Sequence, residues 1–227
     1  MLRETSGTRE TTGTRGFAGE VDVAVASRFF ALLTLVADLA VVGAIVLVVA
    51  ARVSTRAAVV KEDVRDFLSE YGLILAWLVA TTATMGSLYY SEVAGFVPCK
   101  LCWYQRIAMY PLVIVLGVAT LRRDLPVRRY VLPVVGIGGA ISIYHYLLQR
   151  FPDISGASCD PTAPCTVTWV WQFHYISIPF MALSGFALIA VLLLGASPAV
   201  PDISRVEPDE RSPSEHTHGG ALGSAPA

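Results

Sequence analysis

Two pairs of cysteines carry the most specific chemistry in this chain. Cys99 and Cys102 form a Cys-x-x-Cys within VPCKLCWYQRIAMYPL, residues 97–112. Cys159 and Cys165 form a Cys-x5-Cys within FPDISGASCDPTAPCTVTWVWQFHY, with Pro161 and Pro164 between them. A Cys-x-x-Cys pair can close a small disulfide ring and exchange it with other thiols, the thiolate being the reacting form. Cys102 opens an apolar run, and a helix N-terminus offers free N–H groups and partial positive charge that favour a thiolate. Arg106 follows four residues later, on the same helical face. A guanidinium at the edge of an apolar block is costly to place and marks a functional candidate. It can hold Cys102 as thiolate and polarise a carbonyl oxygen of a bound acceptor.

Each part also has a plainer reading. A lone Cys-x-x-Cys is also half of many zinc sites. Arg106 can be a snorkelling anchor of a helix end, and Trp103 and Tyr104 ordinary interfacial aromatics. The second pair can be a structural staple. Its wide spacing does not suit zinc, which takes closer ligands in sets of four. The functional alternative is an exchangeable disulfide on an exposed, mobile loop, open to a thiolate of a partner protein. Two pairs on the same side of a membrane make a relay possible, which is more specific than either pair alone.

The rest of the chain must place these residues. Hydrophobic residues make up 54% of it and charged residues 15%, where a soluble domain carries about a quarter charged. The apolar residues gather in blocks at 29–51, 71–94, 103–121, 130–148 and 174–196, each about as long as a membrane span requires. The first block is too long and too far from the N-terminus for a signal peptide. The net charge of -1 carries no sign of nucleic-acid binding. Arg52, Arg56, Lys61 and Arg65 fill one connection, and Arg122, Arg123, Arg128 and Arg129 another. The positive-inside rule places both connections in the cytoplasm and both cysteine pairs outside. Arg3, Arg9, Arg15 and Arg28 pull the other way for the N-terminus. The expected organisation is a disordered segment at 1–27, an additional transmembrane helix at 28–52, a cytoplasmic linker at 53–70, a helical catalytic domain at 71–196 and a disordered tail at 197–227.

The segment CKLCWYQRIAMYPL resembles the first periplasmic loop and following helix of the DsbB/BdbC disulfide-formation family, and IYHYLLQ at 143–149 and ISIPFMALSGF at 176–186 are similar to its BdbC branch. The resemblance covers 71–196. It implies an all-α membrane protein, a four-helix transmembrane bundle here joined by one additional N-terminal helix. It implies a thiol:quinone oxidoreductase in a bacterial cell membrane, with ubiquinone or menaquinone as acceptor. The implied partner is an extracytoplasmic thioredoxin-fold thiol oxidase of the DsbA/BdbD kind. By the same resemblance, Cys99 and Cys102 are the quinone-linked pair, Cys102 being nearer the quinone, and Arg106 supports quinone binding. Cys159 takes the mixed disulfide with the partner and Cys165 resolves it. His145 matches a histidine near the quinone, its alternative being a helix-end residue packed between Tyr144 and Tyr146. Two features depart from the family: the extra span, and a second pair spaced more closely than in the DsbB branch.

The nearest rival is an enzyme of the vitamin K epoxide reductase type, in which the quinone-linked Cys-x-x-Cys comes late in the chain, whereas here it comes first. Rivals of other classes are a scaffold with two structural disulfides and a metal-binding membrane protein. Asp38, in the first span, is expected to be protonated or paired with Thr81, Thr82 or Thr84. Gly136, Gly138 and Gly139 are expected to permit close helix packing. Pro111, Pro133 and Pro179 are expected to kink their helices. His216 and His218 read as solvated tail residues.

Overall fold

The structure, a computed structural model, describes residues 12–151 and 164–196, with side-chain surroundings from residue 22 onward. Five long helices account for most of it: α1 (Thr12–Ala50), α2 (Thr55–Leu88), α3 (Lys100–Arg122), α4 (Arg128–Arg150) and α5 (Ile178–Gly195). A π turn at Tyr89–Val93 finishes α2, and a 3-10 turn at Leu125–Val127 precedes α4. All five are long and apolar enough to cross a membrane.

Helices α2, α3, α4 and α5 close a ring, each packed on its neighbours, and α1 lies outside it against α2 and α5. The core of the ring is aliphatic: Ala76, Ala80, Leu112, Leu116, Val135 and Ile189 are buried from four different helices. Larger apolar side chains such as Phe29, Leu39, Ile114 and Ile137 point outward, as expected where the surrounding solvent is lipid tails. Gln105 and Ser142 are the polar bridge inside, Gln105 donating to the serine hydroxyl at 2.9 Å and Ser142 donating back to the Gly138 carbonyl at 2.9 Å. With both partners bonded, these buried groups cost little and fix α3 against α4.

Several expectations change at the level of elements. Helix α2 runs unbroken from Thr55, so the linker expected at 53–70 is the first half of that helix. At 1.5 Å per residue a helix of 34 residues exceeds a hydrocarbon core of about 30 Å, and its charged half extends beyond the apolar zone. The helix α1 begins at Thr12, so residues 12–27, expected to be disordered, are helical. Once a helix is nucleated, each added residue gains a backbone hydrogen bond. The expected disorder at 1–11 and 197–227, and His216 and His218, lie outside the described residues.

Pro111 and Pro133 do lie inside helices, but Pro179 sits in the first turn of α5. There its missing N–H has no partner to lose, so it starts the helix and does not kink it. Among the three glycines only Gly138 is required by packing: a Cβ there would stand 2.4 Å from the Phe186 ring. Gly136 faces open space. The Asp38 carboxylate has no hydrogen bond among the described residues; Thr81 bonds back to the Trp77 carbonyl, and the buried Thr84 hydroxyl lacks a partner. The alternative of a pairing with these threonines is therefore not formed among the described residues.

The basic connections and the cysteines fall at opposite ends of the bundle. Arg128 at the start of α4 donates to the Ala196 carbonyl at the end of α5, a cation at the negative end of a helix. Gly138→Val should displace Phe186 and lower stability by about 1–3 kcal/mol, read as a fall in Tm in detergent. Gly136→Val, in open space, should change Tm far less.

Candidate functional site

The π turn and Gly95, whose φ of 69° suits a residue without Cβ, turn the end of α2 back toward α3. Phe96 N–H donates to the Tyr90 carbonyl at 2.9 Å, which holds this return close to the bundle. Cys99 then takes the N-cap position of α3 with extended backbone (φ -73°, ψ 172°), and Cys102 becomes the third residue of the helix. The two Sγ atoms are 3.3 Å apart, both as free thiols within hydrogen-bond reach of each other. Cys102 thus belongs to the first turn, whose N–H groups have no intrahelical acceptor.

Cys99 faces the loop between α4 and α5. It is buried in one cluster with Leu148 and Cys165, against which Leu101 and Cys102 pack. Cys165 is disulfide-bonded and only 1% exposed. Its loop was expected to be exposed and mobile, yet from residue 164 onward it is anchored. Gln149 donates to the Val167 carbonyl at 3.1 Å, Tyr146 to the Tyr175 carbonyl at 3.1 Å, and Arg150 lies over the Trp171 ring. Cys159 lies outside the described residues.

His145 is 2% exposed, and its Nε2 stands 3.6 Å from the Cys99 sulfur. It is not the helix-end residue packed between tyrosines that was one of the two expectations. It projects inward from α4 and away from the flanking tyrosines, and it lines a small pocket shared with Cys99, Cys102, Gln149 and Pro164. Its Nδ1 has no partner. Cys99, Cys102 and His145 hold their ligand atoms within 4.8 Å of one another. A structural zinc site asks for a fourth ligand, and none joins this group among the described residues.

Cys102 also faces the other way, into a cavity of about 360 Å³ between α1, α2, α3 and α5. That is within the range of small-ligand sites. Its walls are overwhelmingly apolar, and Cys102, Gln105, Arg106, Ser87 and Tyr110 bring polar groups to it from α2 and α3. Arg106 donates through Nη2 to the Ser87 carbonyl at 3.2 Å and lies over the Trp103 ring at 5.4 Å. Tyr110 donates to the Ser87 hydroxyl at 3.2 Å. The guanidinium is thereby fixed at the cavity without an acidic partner. An apolar slot with a thiol, an amide and a cation in its lining suits a lipophilic molecule with a polar carbonyl ring.

Sequence reasoning missed Gln105, Ser87 and Trp169. Gln105 could have been found, since it lies three residues after Cys102 and on the same face. Ser87 and Trp169 come from distant segments that only folding brings to the site.

Residues 69–196 match the model of the family described as disulfide bond formation protein DsbB. Over 122 residues, covering 53% of this chain and 88% of the relative, the sequence is 50% identical to disulfide bond formation protein C of Bacillus subtilis. It is 47% identical over 129 residues to probable disulfide formation protein C 1 of Bacillus anthracis, covering 56% of this chain and 92% of the relative. A probable disulfide formation protein of Oceanobacillus iheyensis is 50% identical over 125 residues, covering 54% of this chain and 86% of the relative. No solved structure matches the chain. The chain belongs to the DsbB family, and is a multi-pass helical membrane protein of disulfide bond formation with oxidoreductase activity.

The Cys99 thiol is lowered from the ordinary 9.0 to about 4, chiefly by the hydrogen bond from Cys102 and further by His145, against the burial that opposes ionisation. A lowered value means that the thiolate persists as pH falls from 9 and is lost only near 4. In the reduced protein, thiolate ultraviolet absorbance should therefore survive well below neutral pH. His145→Ala should move its midpoint upward; an unchanged midpoint would leave His145 no part in holding the charge.

Proposed function

We propose that this chain is a thiol:quinone oxidoreductase of a bacterial cell membrane, which reoxidises an extracytoplasmic thioredoxin-fold thiol oxidase and passes the electrons to ubiquinone or menaquinone. One observation carries the reading: the Cys99–Cys102 pair stands between a loop cysteine on one side and an apolar cavity on the other. The excess of Arg and Lys at the opposite end of the bundle supports an extracytoplasmic position for the cysteines.

The chemistry follows as a sequence of exchanges. A thiolate of the partner attacks Cys159 in a Cys159–Cys165 disulfide, forming a mixed disulfide and releasing Cys165 as thiolate. Resolution by the partner's second cysteine oxidises the partner and leaves both loop cysteines reduced. Cys165, packed beside Cys99, attacks that sulfur of a Cys99–Cys102 disulfide, and Cys102 leaves as thiolate toward the cavity. The low thiol pKa of Cys99 makes it the better leaving group when Cys159 then closes on Cys165. The pair is now a dithiol and the loop pair a disulfide, the state of Cys99, Cys102 and Cys165 in the structure. A quinone supplies a two-electron, two-proton acceptor. Arg106 and Gln105 would hold its carbonyl end, and the apolar walls the remainder.

Quinone reduction by the purified protein, with a reduced thioredoxin-fold oxidase as donor, tests the scheme. Cys102→Ser and Cys159→Ser should each abolish turnover. Arg106→Ala should raise the apparent KM for quinone by roughly tenfold or more, the scale of a lost hydrogen bond to a charged group. Undiminished quinone reduction by Cys102→Ser would refute the proposed route of the electrons.

A further inference from the structure

Helix α1 has no counterpart in the matched region, which begins at residue 69. The B. subtilis relative is matched over 88% of its length, and the remainder is too short for another span of about 20 residues. Yet α1 is seated firmly. Ser27, Ala31 and Thr34 are buried along one face. Tyr90 donates to the Ser27 hydroxyl at 3.3 Å. The Phe30 ring lies directly on Gly86 of α2, where a Cβ would come within 2.9 Å of it.

The same face closes the cavity. Phe30, Leu33, Thr34, Ala37 and Ala40 line it opposite α3. From Phe30 to Ala40 is about 15 Å along the helix, running from the cysteine end toward the middle of the bundle. Phe30 also begins an aromatic series that roofs the mouth: Phe30 to Tyr90 at 5.8 Å, Tyr90 stacked on Phe96 at 5.7 Å, and Phe96 stacked on Trp169 at 5.0 Å. All four line the cavity. The thiol, amide and cation of the site come from α3, whereas α1 presents only apolar side chains beyond Thr34.

We infer that α1 is a wall of the acceptor site, and that its face from Phe30 to Ala40 sets which apolar tail of a quinone can be held there. The inference rests on the quinone reading above. Arg106, on α3, would hold the ring carbonyl, and α1 supplies wall and no charged group, so its face from Phe30 to Ala40 would act on the tail more than on ring chemistry. Ala37 and Ala40 are the residues whose small size leaves the slot open, and Phe30 closes its outer end. Relatives lacking this helix would hold the tail against lipid at the α2–α5 groove.

The experiment compares wild type, Ala37→Phe, Phe30→Ala and a control, Leu39→Trp, whose side chain points outward and does not line the cavity. Two readouts are taken with a quinone bearing an isoprenoid tail and with its tail-less analogue. One is the apparent KM; the other is equilibrium binding to the full-length protein, followed by quenching of tryptophan fluorescence. Ala37→Phe should weaken binding of the tailed quinone by roughly tenfold or more, with a much smaller effect on the tail-less one. Phe30→Ala should likewise weaken the tailed quinone more than the tail-less one, and Leu39→Trp should match wild type. Retained disulfide exchange with the donor protein reports that each variant is folded. Equal losses for tailed and tail-less quinones in Ala37→Phe, or none for either, would overturn the role of α1 while leaving the quinone reading intact. A wild type that neither binds nor reduces any quinone would instead bring down the reading on which the inference rests.

Discussion

On the function proposed above, the sulfur pair exchanges with an aqueous protein and with a molecule dissolved in lipid, and so has to stand where both can reach it. The rest of the structure depends on meeting that constraint at the start of α3. The helix N-terminus puts Cys102 among unsatisfied N–H groups, while the preceding extended residue turns Cys99 to the loop side. Two residues of separation along the chain thus become two different surroundings. On one side are His145 and Cys165; on the other are Arg106 and the apolar cavity. The 3.3 Å between the sulfurs keeps the two environments joined by a single exchangeable bond.

Holding that position requires rigidity in a bundle that cannot use water to drive its assembly. In lipid, close packing and buried hydrogen bonds take over that task. Gly138 lets the Phe186 ring lie against α4, and the Gln105–Ser142 bond ties the first turns of α3 to the same helix. Both contacts lie within two turns of His145 or Cys102 in sequence. The geometry at the sulfurs is therefore set by the tightest part of the bundle. The polar atoms left without partners, among them His145 Nδ1 and the Ser177 hydroxyl, lie near the same end, where a reaction would have use for them.

The loop after α4 shows how an irregular segment can be made dependable. Three side chains of α4, Tyr146, Gln149 and Arg150, hold it at successive points, and Phe96 stacks on Trp169 from the other side. Cys165 is buried as a result. A sulfur so placed is turned toward Cys99 and away from solvent.

Much of this was legible in the sequence, because it is written in local terms. A bilayer requires apolar runs of a certain length, so five spans and their basic connections could be counted directly. A Cys-x-x-Cys at the head of such a run, with an arginine one turn later, already states a redox pair at a membrane boundary. What the sequence could not decide was which long-range neighbours meet. It left His145 either near an acceptor or packed between tyrosines, and folding set it against Cys99. It offered three glycines for close packing, and only Gly138 meets a ring. It left Asp38 protonated or paired with a threonine, and no such hydrogen bond forms among the described residues. It left α1 without a task, and the tertiary structure made it a wall of the cavity. The reason is physical: helical periodicity tells which residues share a face, but only the packing of one helix on another determines what that face meets.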